Sequence, residues 1–69
     1  MKFKLNEIII FNSQNPKLIE IQGTKGYVYG SVFDSNKQTY LYAIMGLKTE
    51  IVYSCYEDEL IATDEHFSI

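Results

Sequence analysis

A small all-β barrel is the fold this sequence predicts, and three observations predict it. Short runs rich in Ile, Val, Tyr and Phe alternate with clusters of Asn, Ser, Gly and Asp, the spacing of strands and turns rather than of helices. With 69 residues and 46% hydrophobic side chains the chain has material for one core and no second domain. Gly30 stands inside the clearest strand pattern, where a glycine marks the bulge or sharp bend that curls a short sheet. Together these predict five bent antiparallel strands with one short helical turn near the C-terminus, in a single domain over 1–69.

The first strand is expected over Lys4 to Phe11, with Ile8 and Ile10 on one face and Ile9 and Phe11 on the other. Asn12-Ser13-Gln14-Asn15-Pro16 breaks it, because Pro16 has no ladder donor and biases Asn15 away from helix. Leu18 to Gln22 reads as a short return segment. Gly23-Thr24-Lys25-Gly26 punctuates the chain before Gly26 to Phe33, in which Val28 and Val32 are expected inward and Tyr27 and Tyr29 outward. Asp34-Ser35-Asn36-Lys37 reads as a hairpin loop. Thr39 to Met45 follows with two equally apolar faces, so its orientation stays open. Gly46 to Thr49 turns the chain into Glu50 to Cys55, whose more apolar face is Ile51, Tyr53 and Cys55. One helical turn fits Tyr56 to Leu60, with Glu57, Asp58 and Glu59 outward and Leu60 on the barrel end. Ile61 to Thr63 adds a last short strand, and Asp64 to Ile69 is expected to fray.

Composition excludes several classes. One cysteine, Cys55, and one histidine, His66, cannot build a disulfide or a structural zinc site within the chain, so no metal or other cofactor is expected and a reducing, cytoplasmic setting is favoured. The longest apolar run, Ile8 to Phe11, is far too short for a membrane span. The net charge of -3 opposes a phosphate backbone. Its distribution is uneven: residues 1–49 hold all six lysines and three acids, whereas residues 50–69 hold Glu50, Glu57, Asp58, Glu59, Asp64 and Glu65 and no lysine. An end with a local charge of -6 either serves solubility or steers a basic partner.

No enzyme is expected. Nucleophilic catalysis needs a nucleophile beside a base, and the only thiol lies in a strand pattern far from the only imidazole. Paired carboxylates are plentiful, but a domain this small leaves little room for an enclosing cleft. Gly23-x-x-Gly26 lacks the Lys-Ser/Thr pair and following helix of a phosphate loop. Six tyrosines remain; tyrosine packs well in strands and is also enriched in binding surfaces, and Tyr27 and Tyr29, opposite the valines, are the stronger contact candidates.

The series Leu5-x-Glu7-x-Ile9, Gly23-x-x-Gly26-x-Val28-x-Gly30, Tyr40-x-Tyr42 and Tyr53-Ser54-Cys55 ahead of Glu57-Asp58-Glu59-Leu60 resembles a small SH3-like barrel. More narrowly it is similar to the short SH3-like immunity proteins of bacterial polymorphic-toxin and contact-dependent inhibition systems, with Glu57-x-x-Leu60 and Thr63 matching their late motif. It departs from them at Cys55, where an aromatic is common, and at Asp64, where a glycine is common. The resemblance implies a cytoplasmic antidote, a monomer or weak dimer when free, that binds a cognate toxin domain such as a nuclease. On the residues, the contact set is Glu57, Asp58, Glu59, Asp64 and Glu65 flanked by Tyr27, Tyr29 and Tyr56. Two alternatives stay open: a nucleic-acid- or ribosome-associated module using Lys2, Lys4, Lys17, Lys25, Lys37 and Lys48, or a phage or structural accessory protein that packs through a sheet edge.

Overall fold

The computed structural model describes residues 2–68. Five strands form one antiparallel sheet: β1 (Glu7–Phe11), β2 (Lys25–Asp34), β3 (Thr39–Gly46), β4 (Val52–Tyr56) and β5 (Leu60–His66), in the order β4-β3-β2-β1-β5. The sheet wraps around one core, and Glu57–Glu59 forms a single 3₁₀ turn between β4 and β5. This is the expected SH3-like barrel. Its two edge strands, β4 and β5, share no ladder, so the wall keeps a seam between them.

The core comprises Phe3, Ile9, Phe11, Leu18, Ile21, Val28, Tyr42, Ile44, Cys55 and Leu60. Burial of each large aliphatic side chain among these stabilises the fold by roughly 1.5–3 kcal/mol. Cross-strand pairs settle the orientation of β3: Tyr42 pairs with Cys55 and Ile44 with Val28, so Tyr42 and Ile44 face inward while Leu41, Ala43 and Met45 face out. Strand β1 starts later than its sequence suggests, because Asn6 takes a left-handed φ of 68° and Glu7 N–H closes a turn on the Lys4 carbonyl. That turn sends Phe3 back into the core, edge-on to Tyr42.

Three expectations are corrected along the chain. The segment after Pro16 is a 3₁₀ helix over Pro16–Ile21, not an extended return: the Asn15 side chain caps it by accepting from Lys17 N–H, and Leu18 and Ile21 cover the core. Val32 is 61% exposed rather than inward. Val28 pairs with Ile44 but Gly30 with Ala43, so Tyr29 is an extra residue that reverses the alternation. Beyond it Ser31 and Phe33 share a face with Tyr42 and Tyr40, and Val32 shares the outer face with Leu41. Ile51 is exposed and precedes β4, leaving Tyr53 and Cys55 as that strand's inward residues.

The tail is also more ordered than expected through Phe67. A shift of register between Ile8 and Ile9, with Asp64 at φ 67°, brings Glu65 and His66 into pairing with Ile8 and Glu7. Thr63 Oγ1 donates to the Ile8 carbonyl, and Phe67 N–H to the Asn6 carbonyl. Ile69 lies outside the described residues.

The bulge beside Gly30 is the bend read from the sequence, yet Gly30 is not the glycine the packing requires. No atom lies within 4 Å of the place its Cβ would take, whereas a Cβ on Gly26 would stand 2.6 Å from Ile44 Cγ2 and 2.8 Å from the Met45 carbonyl oxygen. Gly26→Ala is therefore expected to destabilise the fold by about 1–3 kcal/mol through overpacking, and Gly30→Ala to change it by no more than about 0.5 kcal/mol, read from urea unfolding midpoints.

Burial pushes the Cys55 thiol up to about 12, with the nearby Glu59 carboxylate acting in the same direction. The native protein at pH 8 is expected to resist maleimide, and the urea-unfolded chain to react at once; modification of the folded protein at a free-thiol rate would contradict the burial.

Candidate functional site

The 3₁₀ turn after β4 gathers the first three acids of the contact set, and the core decides what two of them do. Tyr42 is wholly buried, but its hydroxyl reaches the N-terminal rim. It donates to Glu57 Oε2 at 2.7 Å and accepts from the backbone N–H groups of Lys2 and Phe3 at 3.1 and 3.2 Å. Lys2 N–H also donates to Glu57 Oε2 at 3.2 Å. The Tyr42 hydrogen bond holds the Glu57 carboxyl below its usual range, desolvation opposing it and Lys2 N–H assisting; burial raises the Tyr42 phenol.

Glu59 is equally occupied. Oε1 accepts from Tyr56 N–H at 2.7 Å, Oε2 accepts from the Ser13 hydroxyl, and its carbonyl accepts from Asn12 N–H at 2.8 Å. The side chain thus ties the end of β4 to the loop after β1 across the seam. The outward placement expected for all three acids holds for Asp58, which is exposed and makes no side-chain hydrogen bond among the described residues; Glu57 and Glu59 fold back into structural bonds.

Tyr56 lies on the outer face with its cross-strand partner Leu41. Its hydroxyl donates to Asp34 Oδ2 at 2.9 Å, which lowers the Asp34 carboxyl and raises the Tyr56 phenol. Asp34 Oδ1 accepts from the N–H groups of Asn36 and Lys37, closing the hairpin loop, and Lys37 Nζ stands 4.4 Å from the Tyr56 ring centroid.

Asp64 and Glu65 sit elsewhere. Strand rise puts Glu65 roughly 15 Å along β5 from Leu60. Glu65 pairs with Lys25 at 2.8 Å, which lowers its carboxyl, and Asp64 is exposed in the left-handed position of the bulge. The five acids therefore form two groups at opposite ends of β5. What joins them is the outer face of the sheet, where one cross-strand row runs Val52, Met45, Tyr27, Ile8, Glu65 and another runs Val32, Leu41, Tyr56. Tyr29, in the bulge between these rows, is 60% exposed, and Tyr27 stacks on Phe67 at 4.1 Å. All three tyrosines of the contact set lie on this side of the molecule or at its bulge, and between the end groups the rows carry no charge.

Two open grooves border the face. One of about 600 Å³ is lined by Asn12, Asn15, Ser54, Tyr56, Asp58 and Glu59 among others. Another of about 380 Å³ is lined by Tyr27, Met45, Leu47, Glu50 and Phe67 among others. Among the described residues no group of three or more His, Cys, Asp or Glu side chains is placed to hold a metal, and no helix is long and apolar enough to cross a membrane. Compared with known proteins, the chain matches no family model, no curated protein and no solved structure.

The residues missed in the sequence are Leu41, Met45 and Val52, which complete the outer face. Their signal was the equal apolarity of both sides of Thr39 to Met45: one side fills the core and the other is displayed.

Two outcomes follow from the Tyr42 clasp. Tyr42→Phe leaves Phe3 N–H without its acceptor and takes the phenol donor from Glu57, while Lys2 N–H keeps Glu57 Oε2, and is expected to cost about 1–3 kcal/mol by urea unfolding. Because folded Glu57, Asp34 and Glu65 sit below their ordinary values, their stabilisation is complete above the unfolded pKa values and is lost as pH falls through the folded ones. Glu57→Gln should be less stable than wild type at pH 7, with the gap closing as pH falls below about 4; a pH-independent gap would contradict the clasp.

Proposed function

We propose that this chain is an inhibitor that works by binding, an immunity protein that covers a cognate bacterial toxin domain. The observation that carries the reading is the outer sheet face: Tyr27, Tyr29 and Tyr56 with Val32, Leu41, Met45 and Val52, bounded by Asp58 and by Lys37 over Tyr56 at one end and by Asp64 and the Lys25–Glu65 pair at the other. Aromatic anchors surrounded by a polar, charged margin are the anatomy of a protein–protein contact. Carboxylates at the margin favour a basic partner such as a nuclease, accelerating encounter while the tyrosines set the lifetime of the complex. The sequence resemblance to SH3-like immunity proteins points the same way.

Of the lysines a phosphate-binding module would use, Lys25 is paired with Glu65 and Lys37 Nζ stands over the Tyr56 ring.

Kinetics with the toxin domain encoded beside this chain separate the two contributions. Tyr29→Ala is expected to speed dissociation by about tenfold or more. Asp58→Lys is expected to slow association several-fold at low salt and to flatten its salt dependence, with the fold unchanged because the Asp58 side chain makes no hydrogen bond among the described residues. Wild-type kinetics in both variants would remove this face from the function.

A further inference from the structure

The seam between β4 and β5 leaves one edge of β4 without a ladder partner, and the hydrogen bonds around it show which groups that edge presents. Gly46 N–H donates to the Ile51 carbonyl at 2.9 Å, which fixes the alternation of β3 toward β4: Ile44 and Tyr42 bond their partners Tyr53 and Cys55. Tyr56 N–H points the other way, since it donates to Glu59 Oε1 on the open side. Antiparallel alternation then places the N–H and C=O groups of Val52 and Ser54 on the open side as well. Tyr56 N–H is capped by Glu59, whereas the outward groups of Val52 and Ser54 have no protein partner among the described residues.

Beside this edge lies the groove of about 600 Å³, with Ser54 and Tyr56 from β4, Asn12 and Asn15 from the loop after β1, and the Asp58 carboxylate among its lining residues. We propose that this edge takes an extended, basic segment of a partner protein as an added strand, with main-chain hydrogen bonds to Val52 and Ser54 and a Lys or Arg side chain next to Asp58. Charge selects this occupant over a second copy of the chain. Two copies paired antiparallel about Ser54 would set Glu50 of each against Asp58 of the other, between molecules that each carry a net charge of -3. A basic segment meets Asp58, in the turn that follows β4, and Glu50, in the turn that precedes it, instead. Lys37, which also lines the groove, has its Nζ 4.4 Å from the Tyr56 ring centroid.

The inference deepens the inhibitor reading by naming how the partner is gripped, and its test stands apart from that reading. The probe is the blocked peptide acetyl-Lys-Thr-Val-Thr-Val-Thr-Lys-amide, titrated into ¹⁵N-labelled protein at low salt and followed by NMR, beside a version with Glu at both ends and a version N-methylated at alternate residues. The expected result is saturable shifts and slowed hydrogen exchange at the Val52 and Ser54 amides. Affinity should fall at least about tenfold for the Glu-ended peptide and be lost on N-methylation. Asp58→Lys should narrow the gap between Lys- and Glu-ended peptides. Absence of binding at about 10 mM peptide, shifts confined to other strands, or equal affinity for both charge types would overturn the proposal. A toxin domain that binds while the Val52 and Ser54 amides keep exchanging would overturn the edge mode and leave the inhibitor reading in place; failure of the toxin domain to bind, with the peptides behaving as expected, would do the reverse.

Discussion

A buried phenol with its hydroxyl at the rim organises this molecule. Tyr42 fills the centre of the core, and leaving its oxygen unpartnered there would cost on the order of 1–3 kcal/mol. Its partners come from two remote places, the N–H groups of residues 2 and 3 and the carboxylate of Glu57. Satisfying one hydroxyl therefore fastens the N-terminal segment over the barrel, seats Phe3 edge-on against the same ring, and fixes the 3₁₀ turn from which β5 departs. Because a chain of this size has few core residues, one junction that closes three segments carries a large share of its tertiary order.

Backbone irregularities do comparable work on the sheet. The extra residue in β2 and the register shift between β1 and β5 bend the strands so that five short elements can surround one core. Each exchanges inner for outer positions along its strand. The bulge at Tyr29 turns Val32 to solvent and so helps build an apolar outer face; the bulge at Asp64 extends β5 and carries Phe67 onto Tyr27. The surface proposed for binding is thus a consequence of how the barrel is bent.

The acidic end divides by role on the same grounds. Glu57 answers a buried hydroxyl, Glu59 ties the end of β4 to Ser13, and Glu65 neutralises Lys25, leaving Asp58 and Asp64 without a side-chain partner among the described residues. Charge density in a sequence counts carboxylates without saying which are already hydrogen-bonded. A contact surface on this protein accordingly rests on tyrosines and exposed aliphatics, with few free acids at its margin, and the β4 edge, capped only at Tyr56, lies alongside it.

Local pattern alone determined that this chain folds as a small bent barrel, where its turns fall, that Gly30 marks a bend, and that Leu60 closes one end, because strand period and turn chemistry act over a few residues. It also placed Tyr27, Tyr29 and Tyr56 among the contact candidates. Tertiary structure decided the rest. The inward face of β3 was undetermined because both sides are apolar, and only cross-strand pairing with Val28 and Cys55 chose between them. The inversion at Val32 and the binding of Glu57 and Glu59 depend on neighbours remote in sequence, brought close only when the sheet closes on its core, whereas the 3₁₀ form of Pro16–Ile21 has a local cause in the Asn15 cap ahead of Pro16.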